Sequence, residues 1–127
     1  MKEFITPKTR NSPGINFNPD TGKFMIEGKS ILEDPATFYE GVFKWLHEYF
    51  QQPQPLTTVD IKVEYINSSS SKYLTAFFRI LEKYSRDGHK CKVNWHYEKD
   101  DESILEFGSH FESTIDLDFS LIEYENQ

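Results

Sequence analysis

A single cysteine among 127 residues leaves little room for thiol chemistry. Cys91 alone can form neither an intramolecular disulfide nor a cysteine-based zinc site. Glycine is sparse as well, and no glycine-rich phosphate loop follows any strand-like segment. A Gly-x-Ser-x-Gly nucleophile elbow is absent. No apolar run approaches the roughly 18 residues of a membrane helix, and the segment from Met1 to Pro7 has no apolar signal-peptide core. These absences predict a cytoplasmic protein with no membrane partner. Basic residues are scarce towards the C-terminus, where residues 98–127 carry ten acidic side chains against Lys99 alone. The whole chain has a formal charge of −7, so residues 1–97 sum to +2. That balance argues against a nucleic-acid partner. It leaves the acidic end as a solvated surface or a face for a basic partner.

What is present is a well-patterned globular chain. Its length suits one domain, expected over residues 1–127, and eleven Phe and seven Tyr supply a filled core. Asn18-Pro19-Asp20-Thr21-Gly22 reads as a hairpin loop between strands at 14–17 and 23–27. Asp34-Pro35 supplies an N-cap and a first-turn proline. Phe38, Val42, Trp45, Leu46 and Tyr49 then fall on one helical face. Val59, Ile61, Val63 and Tyr65 alternate with polar residues in a strand at 58–66. After the hydroxyl-rich hinge Asn67-Ser68-Ser69-Ser70-Ser71, a second helix is predicted over about 70–86. Cys91, Val93, Trp95 and Tyr97 alternate in a further strand. Asp100-Asp101 can cap a short helix bearing Ile104, Leu105 and Phe111, and Ile115, Leu117, Phe119 and Leu121 mark the last strand.

The later strands alternate cleanly, whereas a strand covered on both faces would be apolar throughout. The order β-β-α-β-α-β-α-β therefore predicts a single-domain α/β sandwich. Its helices lie mainly on one face of a mixed sheet with right-handed parallel crossovers. Lys62, Glu64, Lys92, Asn94, Asp116 and Asp118 are expected on the polar face, where cross-strand charge pairs can form.

Evidence for catalysis is thin. His47, His89, His96 and His110 include no i, i+4 pair of a helical zinc site, and neither metal nor cofactor is expected. Cys91 falls in the apolar phase of its strand, as a structural thiol would. His96, on the polar face, is the one candidate for a ligand-binding or enzymatic role, which would need a concave pocket around it. The serine hinge is first a capping signal. It also lies at a helix start, where a phosphate would be electrostatically favoured.

Three stretches carry a resemblance: Thr9-Arg10-Asn11-Ser12-Pro13-Gly14-Ile15, Tyr65-Ile66-Asn67-Ser68-Ser69-Ser70 and Val93-Asn94-Trp95-His96-Tyr97-Glu98. In this order and spacing they resemble the SiaC family of bacterial regulatory phosphoproteins, and the likeness spans nearly the whole chain. The resemblance implies a STAS-like fold and a non-catalytic role. It implies phosphorylation on a hydroxyl just after Tyr-x-Asn, here Ser68 with Ser69 as the alternative, by a serine/threonine kinase of anti-sigma-factor type. A PP2C-like phosphatase would reverse it. The unmodified form would bind a diguanylate cyclase or another effector, with Asn67, Ser70, Ser71 and Lys72 at the contact. An anti-anti-sigma role is the alternative within the same fold.

Overall fold

The computed structural model describes residues 1–125, so the last two residues of the expected domain lie outside the described residues. The elements are β1 (Phe4–Thr6), β2 (Gly14–Asn18), β3 (Lys23–Ser30), α1 (Pro35–Tyr49), β4 (Leu56–Ile66), α2 (Ser68–Arg86), β5 (Lys90–Glu98), α3 (Glu102–Thr114) and β6 (Asp118–Tyr124). They build one six-stranded sheet in the order β1-β2-β3-β4-β5-β6. The first three strands pair antiparallel, and β3 through β6 pair parallel. Each new strand adds beside the previous one, so the sheet always grows in the same direction. Three right-handed crossovers of that kind place all three helices on one face. The one-sided mixed sheet expected from the strand patterns is therefore the fold. It has one more strand than expected, because three residues are too few for β1 to show a period.

The covered face holds a continuous aromatic core. Phe17 stacks on Phe24 with centroids 4.6 Å apart, and Trp45 stacks on Tyr49 at 5.5 Å. Trp95 is fully buried beneath α3 and donates from Nε1 to the Ile104 carbonyl at 2.9 Å. Gly108 makes this contact possible, since a Cβ there would lie 2.4 Å from Trp95 Cδ1. Any side chain at 108 would therefore push α3 off the sheet. Tyr39, which the helical pattern did not single out, is also fully buried, and its hydroxyl pairs with Ser30 Oγ at 2.7 Å.

Asp116 departs from its expected place on the polar strand face. It lies in the turn before β6, where its backbone N–H donates to the Glu82 carboxylate. Among the described residues no helix is long and apolar enough to cross a membrane.

Candidate functional site

The hinge after β4 folds as a capped helix start. Ile66 is buried, which ends the strand's grip on the core, and Tyr65 beside it is 58% exposed. Asn67 turns the chain in extended conformation, φ −83° and ψ 167°. Its backbone N–H donates to the Ser30 carbonyl at 3.0 Å, and its Nδ2 donates to the Leu32 carbonyl at 3.4 Å. Its Oδ1 accepts from the Ser70 N–H at 2.9 Å. An asparagine amide can donate and accept at once, which a serine hydroxyl of shorter reach cannot do between these groups. The helix therefore begins at Ser68, two residues earlier than expected, and its cap is Asn67 rather than a serine.

This geometry sorts the candidate residues. Ser68 and Ser69 are exposed in the first turn. Ser70 is fully buried and its Oγ has no hydrogen-bond partner, so its expected place at a partner surface is corrected to the helix underside. Ser71 is half-buried, and its Oγ donates to the Ser68 carbonyl at 2.8 Å. Lys72 is exposed one turn after Ser68. Asn67, Ser70 and Ser71 thus build the helix start, while Ser68, Ser69 and Lys72 face outward from it.

The Thr9–Ile15 stretch meets the hinge through β3. The Ile31 N–H donates to the Asn11 carbonyl at 2.9 Å, one residue from the Ser30 carbonyl that holds Asn67. Val93–Glu98 lies elsewhere, on β5, with Trp95 in the core and His96 on the opposite face.

Around His96 the uncovered face is tied by polar contacts. Asp60 Oδ1 accepts from Asn94 Nδ2 at 3.1 Å and pairs with His96 Nε2 at 2.8 Å. Lys92 Nζ donates to Asp118 Oδ1 at 3.3 Å and to Ser120 Oγ at 3.2 Å. Lys62 sits 4.3 Å above the Tyr124 ring. The nearby open depression is lined by Lys62, Glu64, Glu98, Asp101 and Tyr124, without His96. A salt-bridged face of this kind counts against the enzymatic alternative. Burial pushes the Cys91 thiol up to about 11, so it stays protonated and unreactive near neutral pH. Among the described residues no group of three potential metal ligands comes together.

The described residues thus form a one-sided α/β domain that presents exposed hydroxyls at a firmly capped helix start. The family model of SiaC family regulatory phosphoproteins matches residues 6–124, and the chain belongs to that family. Membership makes it a regulatory protein and not a catalyst. An uncharacterized protein of Pseudomonas aeruginosa strain UCBPP-PA14 is 23% identical over 121 residues, covering 95% of this chain and 96% of the relative. Apo-SiaC from Pseudomonas aeruginosa superimposes with a TM-score of 0.88 at 23% identity, over 96% of this chain and 99% of that one. A chain in the crystal structure of diguanylate cyclase SiaD with its activator SiaC, from the same organism, gives a TM-score of 0.89 at 22% identity. That match covers 95% of this chain and 99% of the other. These structures share the mixed, one-sided fold described above.

Proposed function

We propose that this protein is a phosphorylation-controlled binding partner of a signalling enzyme, with Ser68 as the phosphoacceptor. The observation that carries the reading is the separation of duties at the helix start. Asn67 caps α2 and Ser71 braces its first turn, while Ser68 projects into solvent. Modification of Ser68 therefore breaks none of the contacts that hold the fold. A phosphoryl group adds about −1.5 to −2 charges. The positive end of a helix favours such charge by about 0.3–1 kcal/mol. The phosphorylated domain stays folded, and the consequence falls on whatever docks there.

The regulated enzyme in this reading is a diguanylate cyclase, supported by family membership and by the cyclase that a structural relative activates. The modifying pair is a serine/threonine kinase of anti-sigma-factor type and a PP2C-like phosphatase. Ser69 is the alternative acceptor, since it too is exposed. Incubation with the kinase of the same host and ATP, followed by mass-spectrometric mapping, tests the site. Phosphate on Ser68 is the expected result, and phosphate on neither Ser68 nor Ser69 would remove the switch.

A further inference from the structure

The sheet has two edges, and they differ in how much strand they offer. β1 is three residues long and the chain meets Pro7 directly after it. β6 runs for seven residues in unbroken register with β5, without proline or bulge. No further strand lies beyond it among the described residues. The Lys99 N–H donates to the Tyr124 carbonyl at 2.9 Å, so the backbone groups of Tyr124 face β5. That direction alternates along a strand. Ser120 and Ile122 therefore bond towards β5 as well, while Phe119, Leu121 and Glu123 point their N–H and C=O groups out of the sheet. No backbone bond from a loop or turn reaches these three among the described residues.

Charge decides what such an edge can accept. β6 carries Asp118 and Glu123 and no cation, and Glu125 follows it. Lys92 meets Asp118 at 3.3 Å and Lys99 meets Glu125 at 3.5 Å. Glu123 is exposed and takes part in no ion pair among the described residues. α3, which packs over β5 and β6, adds exposed Glu102, Glu106 and Glu112. At the end of β6, burial and then Glu64, Glu98 and Asp101 push the Tyr124 hydroxyl above its ordinary value of 10.0. The exposed cations Lys72, Arg79, Lys83 and Arg86 form a ridge on α2 instead. Apolar surface is also open on both sides of the edge, since Leu121 is half-buried and Ile122 is 36% exposed.

We infer that the β6 edge is a docking site for an extended basic segment of a protein partner, which adds to the sheet as one more strand. The backbone of that segment pairs with Phe119, Leu121 and Glu123. Its lysines or arginines meet Glu123 and the surrounding acids, and its apolar side chains cover Leu121 and Ile122. Two copies of β6 would bring acidic edges together, and β1 of a second copy offers too little strand to fill the site. The edge lies two strands from β4, which leads into Ser68, so docking here is separate from the proposed switch.

The test is an NMR titration of the isotope-labelled full chain with a synthetic peptide of about eight residues in which lysine and valine alternate. A fully N-methylated version, which keeps the charge but cannot pair, and a glutamate–valine version serve as parallel probes. Shifts along β6 with the basic peptide alone are expected, together with slowed hydrogen exchange at the Phe119, Leu121 and Glu123 amides. Glu123→Pro removes one outward N–H at an edge position that tolerates proline. It should weaken binding at least about tenfold with the melting temperature unchanged. Glu123→Lys/Glu125→Lys should also weaken it about tenfold. Glu40→Lys/Glu48→Lys, with the same change in net charge on the exposed side of α1, should leave it unchanged. The inference is overturned by no binding, by equal binding of the N-methylated peptide, by shifts centred elsewhere, or by equal loss in the two double variants. Self-association of the wild type that Glu123→Pro abolishes overturns it too, because the edge then takes a second copy.

Discussion

Helices α2 and α3 begin in the same way and differ in what they leave unfinished. Each follows a parallel strand and packs on the same sheet face, and each is capped by a side-chain oxygen that accepts an N–H three residues on. Asn67 serves Ser70 at 2.9 Å, and Asp101 serves Ile104 at 3.0 Å. But α3 has a charged cap and Glu102 in its first turn, so its own sequence compensates its positive end. The start of α2 has a neutral cap, no acid in the first turn and a row of hydroxyls. Its positive end awaits a negative charge from elsewhere. The comparison teaches that the proposed switch position is marked by a charge left out of the first turn, more than by the serines themselves.

The strongest way to break the comparison is to lift α3 off the sheet. Gly108→Ala would place a Cβ within 2.6 Å of Trp95 Nε1 and 2.8 Å of Leu121 Cδ2. It should cost about 3 kcal/mol in denaturant unfolding, with perturbed Trp95 fluorescence.

Glu82→Gln comes next. Burial raises the Glu82 carboxyl, but the Asp116 N–H and the Arg79 and Arg86 guanidiniums outweigh that and hold it below the ordinary value of 4.5. A lowered folded pKa means the carboxylate's stabilisation is complete above the ordinary range. It fades as pH falls through the folded value. The substitution should cost about 2 kcal/mol at pH 7 and flatten the acid limb of a stability-against-pH curve, which thermal unfolding would show.

The caps themselves sharpen the contrast. Asn67→Ala and Asp101→Ala should each cost about 1 kcal/mol. Only the Asp101 effect should shrink with added salt, because only that cap is charged. The smallest effect belongs to Ser70→Ala, which removes a buried hydroxyl without a partner and should leave the melting temperature unchanged or slightly raised.

These cases show which parts of the molecule were legible in its sequence. Periodicity carried the long elements, since Val59-Ile61-Val63 and Leu74-Phe77-Phe78-Leu81 bury the faces their spacing marks. It failed at short range. β1 spans three residues, and the exact start of α2 depended on Asn67, whose two-way amide bonding becomes visible only once Leu32 lies beside it. Ser70 and Ser71 are the same letter, yet one faces the sheet and the other braces a turn, because ~100° of helical rotation separates them. Tyr39 escaped because Phe38 fits the same helical register from one position away. The buried Glu82 escaped because its partner is a backbone N–H 34 residues further on. The cationic ridge on α2 was written openly in Lys72, Arg79, Lys83 and Arg86. Summing charge over residues 1–97 as one block hid it.

The central claim is that a phosphate matters at the start of α2 and not at the start of α3. Calorimetric titration of the host's diguanylate cyclase against three forms of the protein tests it most directly: unmodified, phosphoserine at 68, and phosphoserine at Ser103 in the first turn of α3. The account predicts binding by the unmodified and Ser103-modified forms and a loss of at least about tenfold for the Ser68-modified form. Equal affinity for all three would contradict it.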